Sequence, residues 1–379
     1  MIPERLLRVV PDAEQAFRAP GRANLIGEHT DYSGGFVLPV ALELATYVAG
    51  RPREGVVLLR SLDEPGYVEV DPRTGEGSWQ GWGRYGEAVV RALLDEGVAA
   101  NGFEGVVASD VPIGAGLSSS AALEVALATA LAGSPLDARR LAAVCQRAEN
   151  VYVGTQTGIM DQLTSAAGRA EHALLIDCRD LTVRPVAFPE SLAVLVVDSG
   201  VRRDLAESAY DERVAECAAA AEALGIGSLR DATRDDLARL DGVLLRRARH
   251  VVEENARVLA AADGLAAGRV EELGPPFRAS HESLARDYEV STPELDALVA
   301  IADETDGVIA ARLTGAGFGG CTVNLAARET ASAAGSAIVE RYREETGLET
   351  RFWVSRPAAG AGPLEPRPVP GTGHSSATL

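Results

Sequence analysis

The stretch from Phe103 to Leu131 constrains the fold more than any other part of the chain. A β-rich run, Phe103–Ser109, leads into Pro112-Ile113-Gly114-Ala115-Gly116-Leu117, and an apolar helix-forming run extends from Ser118 to Leu131. Strand, glycine loop and helix in direct succession exclude an all-α and an all-β chain. Gly114 and Gly116 permit positive φ and close approach of the backbone to a ligand. Ser118, Ser119 and Ser120 then open the helix. A helix N-terminus presents unpaired N–H groups and a partial positive charge, a natural seat for a polyphosphate. One serine there would be an ordinary N-cap; three in a row add hydroxyl donors and a candidate metal ligand.

The rest of the chain keeps to mixed α and β. Leu58–Arg60 and Tyr67–Val70 read as strands across the turn Asp63-Glu64-Pro65-Gly66. Helical periodicity runs over Gly83–Glu96 and Asp137–Tyr152. After Thr182 the pattern resets with a strand at Ala193–Val197, then helices near 204–223, 231–239, 242–262, 276–286 and 293–303. Val308–Leu313 and Cys321–Leu325 read as strands around a further glycine loop; a helix near 328–345 and a strand at 350–354 follow. Strands interrupted by helices, with some strands adjacent in sequence, predict α+β in two lobes, and 379 residues suit two domains. From Arg356 to Leu379 the composition turns to Pro, Gly, Ala and Ser, and the segment is expected to be a disordered tail.

Composition excludes several chemistries. A net charge of −19 argues against nonspecific nucleic-acid binding and against anionic membrane surfaces. The chain has no lysine: all 36 basic residues are arginine. That rules out a P-loop lysine, a protein-kinase strand lysine and a Schiff-base lysine. The four cysteines (Cys145, Cys178, Cys217, Cys321) are scattered, without metal-ligand spacing, and read as thiols of a reducing, cytoplasmic compartment.

Two polar clusters stand out against this background. Residues 20–39 read as a short loop that places Arg22, Glu28, His29 and Asp31 among glycines and apolar anchors. Buried, each would need a partner; gathered at a loop, they suit a polyhydroxylated ligand, because carboxylates accept from hydroxyls while Arg and His donate. Asp161 lies in Gly158-Ile159-Met160-Asp161-Gln162, at a loop-to-helix junction where a plain N-cap is the bland alternative. A third glycine run, Gly315-Ala316-Gly317-Phe318-Gly319-Gly320, joins two strands.

Taken in order, these blocks resemble the galactokinase branch of the GHMP small-molecule kinases. Residues 20–39 resemble its sugar signature, 112–124 its second motif and 312–321 its third. The runs Ser280–Leu284, Asp287–Asp296 and Val201–Tyr210 narrow the match to that branch, which spans about residues 17 to 355. The resemblance implies a two-lobed fold with the active site in the cleft between an N-terminal lobe like domain 2 of ribosomal protein S5 (residues 1–185) and a ferredoxin-like C-terminal lobe (186–355). It implies ATP- and Mg²⁺-dependent phosphorylation of the anomeric hydroxyl of α-D-galactose, giving galactose 1-phosphate and ADP. Arg22, Glu28, His29, Asp31, Gly158, Asp161 and Tyr210 would hold the sugar. Gly114, Ala115, Gly116, Leu117, Ser118, Ser119, Ser120 and Ala121 would hold ATP, and Ser120 with Glu149 the Mg²⁺. Asp161 and Arg22 would be catalytic. An adjacent arginine makes a carboxylate a poorer base, and a loose phosphoryl-transfer transition state needs little nucleophile activation, so orientation by Asp161 is favoured over early proton removal. D-galactose and ATP are the partners expected, with no nucleic acid and no membrane, for a monomer or weak dimer.

Departures from the family pattern fall at Ser33, Thr157, Asp211 and Val214, at the edge of the sugar site. They leave open a kinase for another sugar, such as N-acetylgalactosamine or arabinose. A non-catalytic galactose sensor is disfavoured, because sensors resembling this family lack a Ser-Ala dipeptide that Ser120-Ala121 supplies here. A mevalonate- or homoserine-type kinase is disfavoured by Glu28-His29-Thr30-Asp31.

Overall fold

A computed structural model describes residues 2–202 and 206–365. The chain begins with helix α1 (Glu4–Val9) and strand β1 (Gln15–Asn24), then β2 (Phe36–Val37), β3 (Pro39–Pro52), β4 (Val57–Ser61), β5 (Gly66–Val70) and β6 (Gly77–Gly81). Helix α2 (Gly83–Asp95), β7 (Phe103–Ser109), α3 (Ser119–Leu131), α4 (Ala138–Arg147) and α5 (Met160–Ala167) follow. Beyond them lie β8 (His172–Asp177), β9 (Thr182–Ala187), β10 (Leu192–Asp198), α6 (Ala206–Leu224), α7 (Gly242–Ala266), α8 (Gly274–Arg286) and α9 (Pro293–Asp303). The chain returns through β11 (Val308–Thr314), β12 (Cys321–Ala327), α10 (Ala331–Thr346), β13 (Phe352–Ser355) and β14 (Gly362–Leu364).

The strands make an α+β protein of three sheets. The largest has the order β14-β1-β3-β7-β4-β5-β6, antiparallel except where β4 runs parallel to β7. Alternation along β4, β5 and β7 points Val57, Leu59, Val68, Phe103 and Val107 inward, against α2 and α3. The second sheet, β11-β12-β10-β13, is antiparallel. Its chain order, with helices crossing after β10 and after β12, is the ferredoxin-like arrangement. A small third sheet, β2-β8-β9, is also antiparallel. One buried cluster joins residues of both halves, from Leu25, Ile26 and Leu38 to Val194, Val258 and Val323. The sugar signature is thereby fixed to the C-terminal half by ordinary apolar packing.

Several expectations need correction. The helix expected near 231–239 is replaced by two short 3₁₀ turns, Leu229–Asp231 and Asp235–Arg239. Residues 20–24 belong to β1 rather than to a loop. The helix expected over Asp137–Tyr152 changes character: α4 ends at Arg147, and Ala148–Val153 is a π-helical turn. Such turns insert one extra residue per turn and re-aim side chains, and this one carries Glu149. The expected disordered tail is not a tail over its first part. β14 pairs with β1 (Ala16↔Leu364), and the N–H groups of Ala358, Gly360 and Ala361 donate to the carbonyls of Ala41, Gly168 and Ser165. A composition argument weighs side-chain burial, whereas these small residues are held by backbone hydrogen bonds at a sheet edge. Residues 366–379 of the expected tail, and residues 203–205 of the Val201–Tyr210 block, lie outside the described residues. The boundary expected at 185/186 falls within β9. Among the described residues, no helix is long and apolar enough to cross a membrane.

Candidate active site

The two glycine motifs of the first half meet at a bulge. Between Pro20 and Arg22 the register of β1 against β3 shifts. A Cβ on Gly21 would lie 2.7 Å from the Leu117 carbonyl oxygen, so only glycine lets the phosphate loop rest on the strand here. Arg22 N–H then donates to that same carbonyl at 3.2 Å. Past the bulge, the Arg22 side chain turns into a cleft of about 430 Å³ lined from both lobes.

Arg22 forks onto Asp161. Its Nε donates to Oδ1 and its Nη2 to Oδ2, both at 2.7 Å, and its Nη1 donates to the Gly116 carbonyl at 2.7 Å. Ser118 Oγ also donates to Asp161 Oδ2. Ser118 has φ 58°, a left-handed conformation that a serine adopts only when its surroundings impose it. It is the N-cap of α3 yet makes no capping bond, since its hydroxyl serves Asp161. The first-turn N–H groups of α3 are thus left without a side-chain cap at the mouth of the cleft. Asp161 itself lies in the first turn of α5 and is not the N-cap, which is Ile159.

At the other end, Asp31 packs against Gly158. A Cβ at 158 would stand 1.6 Å from Asp31 Oδ2, so glycine is obligatory there. Burial, with the nearby Asp161 charge adding to it, pushes the Asp31 carboxyl up to about 6. Glu28 is 1% exposed. Its Oε1 accepts from Thr314 Oγ1 at 3.1 Å and from Gly315 N–H at 3.0 Å, and Arg312 pairs with its Oε2. Burial pushes its carboxyl up, against the pull of Arg312. Behind it, burial alone would raise Glu254; Arg257, His250 and Arg312 outweigh that and bring it down to about 2. His29, at φ 61°, places Nδ1 3.0 Å from Tyr32 Oη and Nε2 3.1 Å from the Ala316 carbonyl oxygen. The Tyr210 ring, on α6, stands 5.5 Å from the His29 ring.

The metal candidates lie side by side. Ser120 and the buried Glu149 both line the cleft, and Glu149 Oε2 accepts from Thr157 Oγ1 at 3.0 Å and Gln162 Nε2 at 2.6 Å. Burial, followed by Asp161, raises the Glu149 carboxyl.

The cleft therefore brings together Arg22, Glu28, His29, Asp31, Gly114, Ser120, Glu149, Gly158, Asp161 and Tyr210. Gly116 and Ser118 reach it through their bonds to Arg22 and Asp161, and Ser119 occupies the first turn of α3. The side chains of Ala115, Leu117 and Ala121 are buried, so these three could meet a nucleotide only through backbone. Sequence reasoning missed Glu124, fully buried on α3, which accepts from Gln162 Nε2 at 3.3 Å. Its signal was a lone carboxylate inside an apolar helix. Ala316 of the third glycine run lines the cleft too, as do Arg84 and Gln156, which nothing in their local sequence singles out.

Comparison with known proteins agrees with this geometry. Residues 9–52 match the galactokinase galactose-binding signature, 84–169 the GHMP kinase N-terminal domain and 261–344 the GHMP kinase C-terminal domain. Fold and cleft define a GHMP kinase, a phosphotransferase with ATP as co-substrate. A galactokinase of Roseiflexus sp. is 48% identical over 91% of this chain and 92% of its own. One of Chloroflexus aurantiacus is 46% identical over 90% and 92%. The crystal structure of Lactococcus lactis galactokinase complexed with galactose superposes with a TM-score of 0.88 at 34% identity, covering 95% of this chain and 98% of that one. The chain belongs to the galactokinase family. A mevalonate kinase shares the fold alone, at 20% identity and TM-score 0.64.

Proposed function

We propose that the protein transfers the γ-phosphoryl group of ATP to the anomeric hydroxyl of α-D-galactose, giving galactose 1-phosphate and ADP. The observation that carries this reading is the fork of Arg22 on Asp161, at the point where the sugar signature meets the phosphate loop. Asp161 orients the anomeric hydroxyl and takes its proton late, since both its oxygens already accept from Arg22 and Ser118. Positioning of this kind suits a loose transition state with little need of a strong base. Arg22, held also by Gly116, stands where charge develops on the transferring group.

Asp31 and Glu28 accept from ring hydroxyls, and the axial 4-hydroxyl is the one that separates galactose from glucose. Leaving a buried acceptor unmatched costs about 1–3 kcal/mol, enough for selectivity. Gly158 backs Asp31; His29 and Tyr210 wall the sugar end. The first turn of α3, with Gly114 to Ala121, seats the nucleotide phosphates through N–H groups and serine hydroxyls.

Ser120 and Glu149 fit Mg²⁺: one hydroxyl and one carboxylate, both hard oxygens, leave the remaining positions to phosphate oxygens and water. When bound, the ion neutralises charge on the β- and γ-phosphates. The same reading takes the protein as a cytoplasmic monomer or weak dimer, with the tail beyond residue 365 playing no part in catalysis.

ADP release from ATP and Mg²⁺, measured across D-galactose, glucose, N-acetylgalactosamine, arabinose, talose and mevalonate, tests the reading. Clear preference for galactose is expected. Preference for another sugar would overturn the substrate and place the difference at Ser33, Thr157 and Asp211. Galactose binding without turnover would overturn the enzyme in favour of a sensor.

A further inference from the structure

One wall of the cleft has no regular secondary structure. Gly154, Thr155, Gln156, Thr157 and Gly158 form a strap from the π-helical turn at 148–153 to α5, and all five line the cleft. The Gly154 and Thr155 N–H groups donate to the Glu149 carbonyl at 2.8 and 3.2 Å. Beyond Thr155, side chains hold the strap. Asn150 Oδ1 accepts from the Thr157 N–H at 2.9 Å, and Asn150 Nδ2 donates to the Thr157 carbonyl at 3.3 Å. Gln146, in the last turn of α4, donates to the same carbonyl at 3.0 Å, and Gln156 Nε2 donates to the Asn150 carbonyl at 3.3 Å. The Thr157 hydroxyl donates to Glu149 Oε2 at 3.0 Å and lies 3.2 Å from Asn150 Oδ1.

Asn150 thus grips both backbone groups of one residue, as a neighbouring strand would. The partners set the orientation of its amide. A backbone N–H can only donate and a backbone carbonyl can only accept, so Oδ1 faces the first and Nδ2 the second. An aspartate there could accept from the N–H, but it would turn a charged oxygen toward the carbonyl, next to the Glu149 carboxylate. The gripped residue adjoins the sugar end. Thr157 precedes Gly158, which packs so closely on Asp31 that a Cβ would stand 1.6 Å from Oδ2. A strap free to move would carry Gly158 off Asp31 and open that wall. Asp161 has supports of its own in Arg22 and Ser118, neither of which belongs to the strap.

We propose that Asn150 is a positioning residue for the sugar: it braces the strap at Thr157 so that Gly158 meets Asp31. The proposal rests on reading Gly158 and Asp31 as part of the sugar site. Asn150 is not among the residues that line the cleft and acts through Thr157. The brace also gives the π-helical turn a use. Its consecutive residues Glu149 and Asn150 both bond to Thr157, so a metal candidate and a wall of the sugar end share one strap residue. Loosening the brace weakens sugar binding and leaves the transfer step, set at Asp161, largely intact.

The test uses full-length protein and two readouts: amide hydrogen exchange resolved at Thr157, and galactose Kd by calorimetry without nucleotide or metal. The Thr157 amide of the unliganded wild type is expected to be protected. Asn150→Ala should speed its exchange roughly tenfold and raise galactose Kd and KM roughly tenfold, with kcat and the ATP KM within about threefold. Asn150→Asp, which keeps the acceptor and loses the donor, should raise them by a smaller factor. Unchanged exchange in Asn150→Ala would overturn the brace. Faster exchange with an unchanged galactose Kd, or equal rises in the galactose and ATP KM, would overturn the positioning role. If Asn150→Ala fails to fold, Asn150→Asp and the wild-type exchange decide, and an unprotected Thr157 amide in wild type overturns the proposal. Absence of galactose binding by wild type would count against the substrate reading, while the exchange comparison still judges the brace.

Discussion

The two ends of the cleft are built by different means. The sugar end is held by buried side chains that need one another: Glu28 on Arg312, Glu254 between Arg257, Ser280 and the Gly27 N–H, His29 on Tyr32. The phosphate end is held by backbone, by glycines and by short hydroxyls, with Leu117 and Ala121 turned into the core. The difference suits the ligands. A sugar is told from its epimers by the direction of single hydroxyls, which takes fixed, directional acceptors. A polyphosphate is recognised by its charge, which a helix N-terminus and a metal can meet without any lysine. The two ends should therefore fail in different ways when altered.

The largest effect is expected from removing a partner inside the sugar-end network. Arg312→Leu leaves Glu28 buried and uncompensated, and should lower unfolding free energy by about 3–5 kcal/mol in urea titration. A loss under about 1 kcal/mol would show that the network is not what fixes the sugar end. Next comes Gly158→Ala, whose new Cβ would collide with Asp31 Oδ2. The galactose KM should rise on the order of a hundredfold while the ATP KM stays within about threefold; equal rises in both would erase the distinction between the ends.

A smaller effect concerns pH. Burial raises the Asp31 carboxyl from 3.8 to about 6. Sugar acceptance needs the ionised form, so kcat/KM for galactose should fall as pH drops through about 6. Stability has the opposite sign: the folded state holds this proton more tightly than the unfolded one, so Asp31's contribution to stability declines as pH rises from about 4 to about 6. Asp31→Asn should flatten the pH profile of stability over that window while impairing galactose use. A pH–stability profile unchanged by the substitution would remove Asp31 from this role. The smallest effect lies outside the cleft. A chain ending at Arg356 lacks β14 and the backbone bonds of Ala358, Gly360 and Ala361, and should melt several degrees below one ending at Glu365. Equal melting temperatures would mean that the strand adds nothing.

The contrast between the ends also explains what the sequence disclosed. Residues whose identity is dictated by chemistry were legible: Arg22, Asp31, Asp161 and the glycines at 114, 116 and 158 stand in a pattern that few other demands produce. Residues whose role depends on burial were not. Glu124 and Gln162 read as ordinary helix residues until α3, α5 and the π-helical turn at 148–153 place them together. Tyr288 lies far from His29 in sequence, and only the fold closes that distance. The same holds for secondary structure. The strand at Phe103–Ser109 and the helix at Pro293–Asp303 follow from local pattern. β14 follows from an edge that β1 offers, which no local pattern in Gly362–Leu364 foretells.

The most direct test of the account is Asp161→Asn, with turnover and galactose binding measured on the same preparation. The geometry predicts that kcat falls on the order of a hundredfold or more while the galactose Kd stays within about threefold, because Glu28, His29 and Asp31 keep their own supports. A variant with near wild-type kcat would contradict the placement of the chemistry at the Arg22–Asp161 fork.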